Sequence, residues 1–179
     1  MKKFLCTCLV GILIVLSLIG CGTIEKTRVQ DGKFTFSSDE FIHISEKLLQ
    51  KHKDANISFG EMEDLSNGQM CEISIGDRKG LNYYGFLLSE EGEVESVAVM
   101  IDTSEKAQNS EDDIKFMLEL FIMSCDPTLS ADEADEMIHS MEKKNTDDSK
   151  FKDKNGIRYR MWESDASGYQ LMAYPAQEE

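Results

Sequence analysis

The chain has 179 residues, 34 acidic against 19 basic side chains, a formal charge of -15 and 41% hydrophobic residues. That is one domain's worth of chain with enough apolar material for a single core. The acidity excludes a nucleic-acid binder and a polybasic membrane-surface protein, because both need positive charge against phosphate.

Residues 1 to 20 differ in composition from everything after them. Met1-Lys2-Lys3 precedes an apolar run from Phe4 to Ile19 that contains no acidic residue. Such a segment belongs to targeting and not to the fold. The run is about 16 residues, short of the roughly 20 that a permanent span needs. It ends at Leu18-Ile19-Gly20-Cys21, which resembles the lipobox of bacterial lipoproteins. The resemblance covers about the first 22 residues. It implies a diacylglyceryl group on the Cys21 thiol, cleavage that leaves Cys21 as the new N-terminus, and attachment to the membrane through that lipid. Two acyl chains at about 0.8 kcal/mol per buried CH₂ anchor stably where one does not. Gly22 stands where the inner-membrane retention signal of diderm bacteria has Asp. The expected location is therefore the outer face of the cytoplasmic membrane, or the outer membrane in a diderm cell. Cleavage removes Lys2 and Lys3 and no acid, so the exported chain carries -17. Residues 21–36 read as the lipidated cysteine and a tether, its coil span roughly 20 Å.

From Ser37 the pattern becomes regular, and residues 37–179 read as a single domain. Ser37 with Glu40 predicts a capping box, and Phe41, Ile44, Leu48 and Leu49 recur at helical spacing up to about Lys53. Four β runs follow: Ile57 to Asp64, Met70 to Ile75, Leu81 to Leu88 and Val94 to Ile101. Their turns are Ser66-Asn67-Gly68, Asp77-Arg78-Lys79-Gly80 and Glu90-Glu91-Gly92. Gly60 predicts a bulge that lets Ile57, Phe59 and Met62 point inward together. Ser110 caps a helix with Ile114, Met117, Leu118, Phe121, Ile122 and Cys125 on its inner stripe, closed by Asp126-Pro127. Ser130 and Glu133 open another, carrying Ala134, Ile138 and Met141 inward. The tail returns to β, with a strand near Phe151, a turn at Asn155-Gly156, then Ile157 to Glu163 and Tyr169 to Tyr174. The sum is an α+β domain: an antiparallel meander sheet of six or seven strands with about three helices on one face.

Catalytic vocabulary is sparse. No Gly-x-Ser-x-Gly elbow exists. Ser140-x-x-Lys143 and Ser149-x-x-Lys152 match part of the penicillin-recognising pattern, but the Lys-Thr-Gly and Ser-Asp-Asn partners are missing. His43 and His52 are nine apart, His139 is alone, and the acids Asp132, Glu133, Asp135 and Glu136 fit the first turns of a helix, so no metal or cofactor is expected. Glu61 and Glu63 read as the wet side of an edge strand. Cys71 and Cys125 both continue apolar stripes and should be buried toward the helices, as two thiols or as a disulfide.

The surface of interest is the sheet face away from the helices. If Ile157, Tyr159, Met161, Leu171 and Ala173 face the core, then Arg158, Arg160, Trp162, Gln170, Met172 and Tyr174 share the outer face. Arginine beside tryptophan and tyrosine is hot-spot chemistry. Cross-strand pairing of these arginines with Glu163, Glu72 or other acids is the competing structural explanation. In the strand 81–88, Tyr83 and Leu87 add to one face while Tyr84, Phe86 and Leu88 take the other. The functional expectation is a lipid-anchored, non-enzymatic binding module at the cell envelope, with Arg158, Arg160, Trp162, Met172 and Tyr174 as candidate contacts for a protein or peptide. An envelope hydrolase or transferase, and an accessory protein for a small solute, are the alternatives.

Overall fold

A computed structural model describes residues 28–52, 56–142, 151–164 and 168–176. The leader, Cys21, the tether up to residue 27, Lys53 and Ser149 lie outside them. Among the described residues, β1 (Val29–Gln30) and β2 (Lys33–Phe34) form a hairpin, and α1 (Ser38–Leu49) follows. Then come β3 (Ile57–Leu65), β4 (Gly68–Ile75), β5 (Arg78–Leu88) and β6 (Val94–Ile101). Two helices, α2 (Glu111–Cys125) and α3 (Ala131–Glu142), precede β7 (Phe151–Lys154), β8 (Ile157–Ser164) and β9 (Gly168–Pro175).

The seven strands β3 to β9 form one antiparallel sheet in the order β3-β4-β5-β6-β9-β8-β7. Two meanders meet at β6 and β9, joined through α2 and α3. This is the expected α+β architecture. All three helices pack against one another or against the same side of the sheet. The core between the layers is aromatic: Phe41 of α1 meets Tyr84 edge-on at 5.2 Å, Phe86 at 5.5 Å and Phe121 at 6.0 Å between ring centroids.

Helix starts follow side-chain chemistry. Ser37 accepts a hydrogen bond from the Glu40 backbone N–H. Ser110 and Asp113 exchange bonds in a capping box, as do Ser130 and Glu133. The bulge sits where Gly60 predicts it: Phe59 pairs with Ile73 and Met62 with Cys71, so β3 carries one extra residue between them. Ile57, Phe59 and Met62 all pack on the core.

Three boundaries differ from expectation. The β4–β5 turn is two residues, Gly76-Asp77, and Arg78 already belongs to β5. Gly76 takes φ +61°, the left-handed conformation that a tight turn needs. At the β3–β4 hairpin, Ser66 and Asn67 make the turn while Gly68 starts β4. Gly68 is there for proximity, because a Cβ would lie 1.9 Å from the Phe86 carbonyl oxygen.

The third correction concerns the tether, which the sequence reading runs to residue 36. Residues 28–36 belong to the domain. Asp31 (φ 52°) and Gly32 (φ 73°) form the hairpin turn, and Phe34 and Phe36 are buried in the core. Arg28 is buried as well: Nε donates to the Cys125 carbonyl at 3.2 Å and a terminal nitrogen to the Ser124 carbonyl at 3.4 Å. Its guanidinium lies 4.4 Å over the Phe36 ring and 3.7 Å from Glu40. One planar cation thus caps the C-terminal carbonyls of α2 and ties the hairpin to α1.

Candidate functional site: the uncovered face of the sheet

Alternation along β8 and β9 divides their side chains as the sequence predicts. Ile157, Tyr159, Met161, Leu171 and Ala173 are buried against the helices. Arg158, Arg160, Trp162, Met172 and Tyr174 lie on the opposite face, brought side by side by register: Arg158 pairs with Tyr174, Arg160 with Met172, and Trp162 with Gln170. The same rows run on across the sheet. Met172 pairs with Ala98, Ala98 with Gly85 and Gly85 with Met70. Gln170 pairs with Met100, Met100 with Tyr83 and Tyr83 with Glu72. No described helix covers this face. It is a half-exposed band of methionine and aromatic side chains flanked by charge, and Leu87, 45% exposed, stands at its edge.

The two arginines have different surroundings. Arg158 makes two parallel bonds to Asp153, Nε to Oδ1 and a terminal nitrogen to Oδ2, both 2.7 Å. It also lies 4.6 Å over the Phe151 ring. These bonds hold the Asp153 carboxyl below the usual carboxylate range. The cross-strand partner of Arg158 is therefore Asp153, and the pair stiffens the β7–β8 hairpin. Arg160 lies 6.0 Å over the Trp162 ring, so cation and indole present one composite surface.

The other candidates resolve into structural roles. Cys71 and Cys125 are buried and both are free thiols. Burial pushes Cys71 up to about 11 and Cys125 well above its ordinary value, so neither is a nucleophile at neutral pH. Glu61 and Glu63 are exposed. Ser140 donates to the Met137 carbonyl at 2.7 Å within α3, while Lys143 lies outside the described residues. His43 neighbours Glu46, and His139 neighbours Asp135 and Glu142, all on the surface. Glu133 serves the α3 cap and Asp135 pairs with Lys115 at 2.8 Å. Among the described residues no group of three or more His, Cys, Asp or Glu is placed to hold a metal.

A cleft of about 510 Å³ lies at the far end of the sheet, lined by His52, Asn56, Arg78, Asp113 and Phe116 among others. Its cation is committed. Arg78 donates to the Ile75 and Ala107 carbonyls, each at 3.1 Å, to the Gln108 carbonyl, and to Asp113 at 3.2 Å. Burial works to raise Asp113, but hydrogen bonds from Ser110 and the Arg78 guanidinium outweigh it and hold the carboxyl low. The cleft is a pinned loop junction in which Arg78 and Asp113 are held by each other and by neighbouring backbone groups.

Sequence reasoning missed a second tied corner. Asp126, 2% exposed, accepts from Thr128 N at 3.1 Å, Thr128 Oγ1 at 2.7 Å and Asn155 Nδ2 at 2.6 Å. This locks the α2–α3 corner to the β7–β8 turn. The signal was the pairing of Asp126-Pro-Thr128, an Asx-type turn, with a solitary Asn at a distant hairpin.

Comparison with protein-family models, with curated proteins and with solved structures found no match. Among the described residues, no helix is long and apolar enough to cross a membrane.

Proposed function

We propose that this chain is a lipid-anchored module of the cell envelope that works by binding, through the uncovered face of its sheet, and that Cys21 carries the anchor. The observation behind this reading is the contrast between the two faces. One is sealed by three helices, while the other leaves Trp162, Tyr83, Met100 and Met172 half-exposed in register beside Arg160. Soluble domains normally leave such a large-residue apolar band open only where something docks. Aromatic, methionine and arginine side chains are also the residue types that interface centres favour. The polar groups that could have formed a reactive site are instead spent on caps, corners and loop ties, which favours binding over catalysis.

The test is capture from envelope extract by the mature chain and by the double variant Arg160→Ala with Trp162→Ala. Both side chains stand on the solvent side, so the variant keeps the wild-type thermal transition to within a few degrees. Capture falls at least tenfold. Unchanged capture by a folded double variant removes the face from consideration.

A further inference from the structure

We propose that the outer edge of β3 is a docking site in its own right, which takes an extended segment of a partner polypeptide as an added strand, its apolar residues alternating with lysine or arginine. This goes beyond the open-face reading, because the site lies at the rim of the sheet and uses other residues.

The sheet has two edge strands, β3 and β7, and they are finished in opposite ways. In β7 the core-side positions are Lys152 and Lys154, opposite the buried Tyr159 and Ile157 of β8. Lysine on the inner row blocks strand addition, because a new neighbour would have to bury the ammonium. Lys154 is also held by Glu133 of α3 at 3.4 Å. In β3 the core-side positions are Ile57, Phe59 and Met62, opposite Ile75, Ile73 and Cys71 of β4. Those β4 residues are at most 4% exposed, whereas Ile57, Phe59 and Met62 each keep part of their surface open. The inner row therefore stays apolar to the last strand and ends incompletely covered. At about 3.3 Å per residue, β3 offers an edge of roughly 30 Å, and among the described residues no strand pairs with its outer side. The bulge at Gly60-Glu61 divides that edge into two pairing stretches, 57–59 and 62–65.

Charge selects the occupant. Glu61 in the bulge and Glu63 beyond it are exposed, and neither carboxylate has a hydrogen-bond or ion-pair partner among the described residues. Asp64 is committed, since it accepts from Gln69 Nε2 at 2.8 Å. Strand β3 of a second copy is the wrong addition, because it would set another Glu61 and Glu63 one strand spacing from the first pair. Strand β7 of a second copy is wrong as well: whichever way it is turned, either its two lysines or Asp153 falls on the apolar row. A strand with apolar side chains inward and lysine or arginine outward satisfies both rows at once. Main-chain hydrogen bonds then supply affinity and the alternation supplies selectivity. The acids thus close the edge to self-addition while leaving it open to a basic strand.

The probe is an acetylated and amidated heptapeptide of alternating Lys and Val, titrated against the membrane-extracted chain in neutral detergent micelles, with amide hydrogen exchange followed by mass spectrometry. Binding saturates and slows exchange in residues 57–65 but not in 151–154. The variant Glu61→Lys with Glu63→Lys, changed at two exposed positions and keeping the wild-type thermal transition to within a few degrees, binds at least tenfold more weakly. A peptide of the same composition with its lysines in one block also binds at least tenfold more weakly. The variant Arg160→Ala with Trp162→Ala binds the alternating peptide as the wild type does. Equal binding of the block peptide overturns the proposal, because it reports only general attraction to an acidic chain. Undiminished binding by the folded charge-reversal variant, slowed exchange only outside 57–65, or no saturable binding at millimolar peptide overturns it too. Slowing at 57–65 that grows with protein concentration in the absence of peptide assigns the edge to a second copy. If the Arg160 and Trp162 variant loses the peptide, the peptide sits on the open face and the edge proposal falls. If the edge fails while envelope capture still depends on Arg160 and Trp162, the open-face reading stands.

Discussion

Arg28 offers the sharpest test of how residues 28–36 are joined to the rest of the domain. The substitution Arg28→Met keeps most of the buried stem and removes the guanidinium. It deletes a charged hydrogen bond to the Cys125 carbonyl at 3.2 Å, a longer one to Ser124 at 3.4 Å and the contact over Phe36. A hydrogen bond to a charged group contributes about 1.5–3 kcal/mol and a desolvated cation–π contact about 1–2 kcal/mol. Against this, burial of the cation is itself costly, since desolvation lowers the Arg28 pKa. The Glu40 pair, with the carboxylate 44% exposed, adds little. The balance is a loss of about 2–3 kcal/mol, which for a domain of this size is a fall in Tm of about 5–10 °C. Urea and thermal unfolding of the wild-type and variant chains measure it. Limited proteolysis follows the hairpin itself, which the variant should surrender before the sheet is cut. A loss under about 0.5 kcal/mol, in the range of ordinary surface changes, would refute the claim that Arg28 welds residues 28–36 to α2.

Gly168→Ala should be severely destabilising, by more than about 3 kcal/mol, because its Cβ would lie 2.1 Å from the Ile101 carbonyl oxygen at φ +67°; a Tm shift below about 5 °C contradicts this. Cys71 and Cys125 should resist thiol labelling in the folded, unreduced chain at neutral pH and react together on unfolding; rapid labelling of both while folded would contradict their burial. The depressed Asp113 and Asp153 carboxyls bind protons more readily in the unfolded state, so their contribution to stability is present above the unfolded pKa and is lost as pH falls through the folded one. Arg78→Met should flatten that acid limb in a urea titration between about pH 2 and 5; an unchanged slope would show that the Arg78–Asp113 pair does not contribute. Intact-mass measurement of membrane-extracted protein should place the mature N-terminus at lipid-modified Cys21, and an unmodified thiol there or an upstream start would end the anchor reading.

What the sequence determined by itself was whatever depends on near neighbours in the chain. Ser110 and Ser130 with acids three residues on produce the α2 and α3 caps as expected. Asn155-Gly156, with both φ angles positive, makes the tight β7–β8 turn. The period of two placed Arg158, Arg160, Trp162, Met172 and Tyr174 on a shared face, because a core on one side of a strand leaves no choice for the other. The Asp31-Gly32 turn was equally legible in principle, yet two-residue strands are too short for periodicity to reveal.

Tertiary structure decided what depends on distance across the chain. Ser45 lies on the α1 stripe where an apolar residue would be the ordinary choice, and its hydroxyl is 2.7 Å from that of Ser124. Each hydroxyl also reaches back to a carbonyl of its own helix, Ser45 to Phe41 at 3.1 Å and Ser124 to Leu120 at 2.7 Å, and two small side chains let the helices close. Gly68 answers to the Phe86 backbone and Arg28 to carbonyls nearly a hundred residues away. The joining of β6 to β9, which makes one wide open face out of two meanders, also lies beyond local pattern. Alternation specifies which way a side chain points, while strand order is set by how α2 and α3 pack across the sheet, a property of the folded whole.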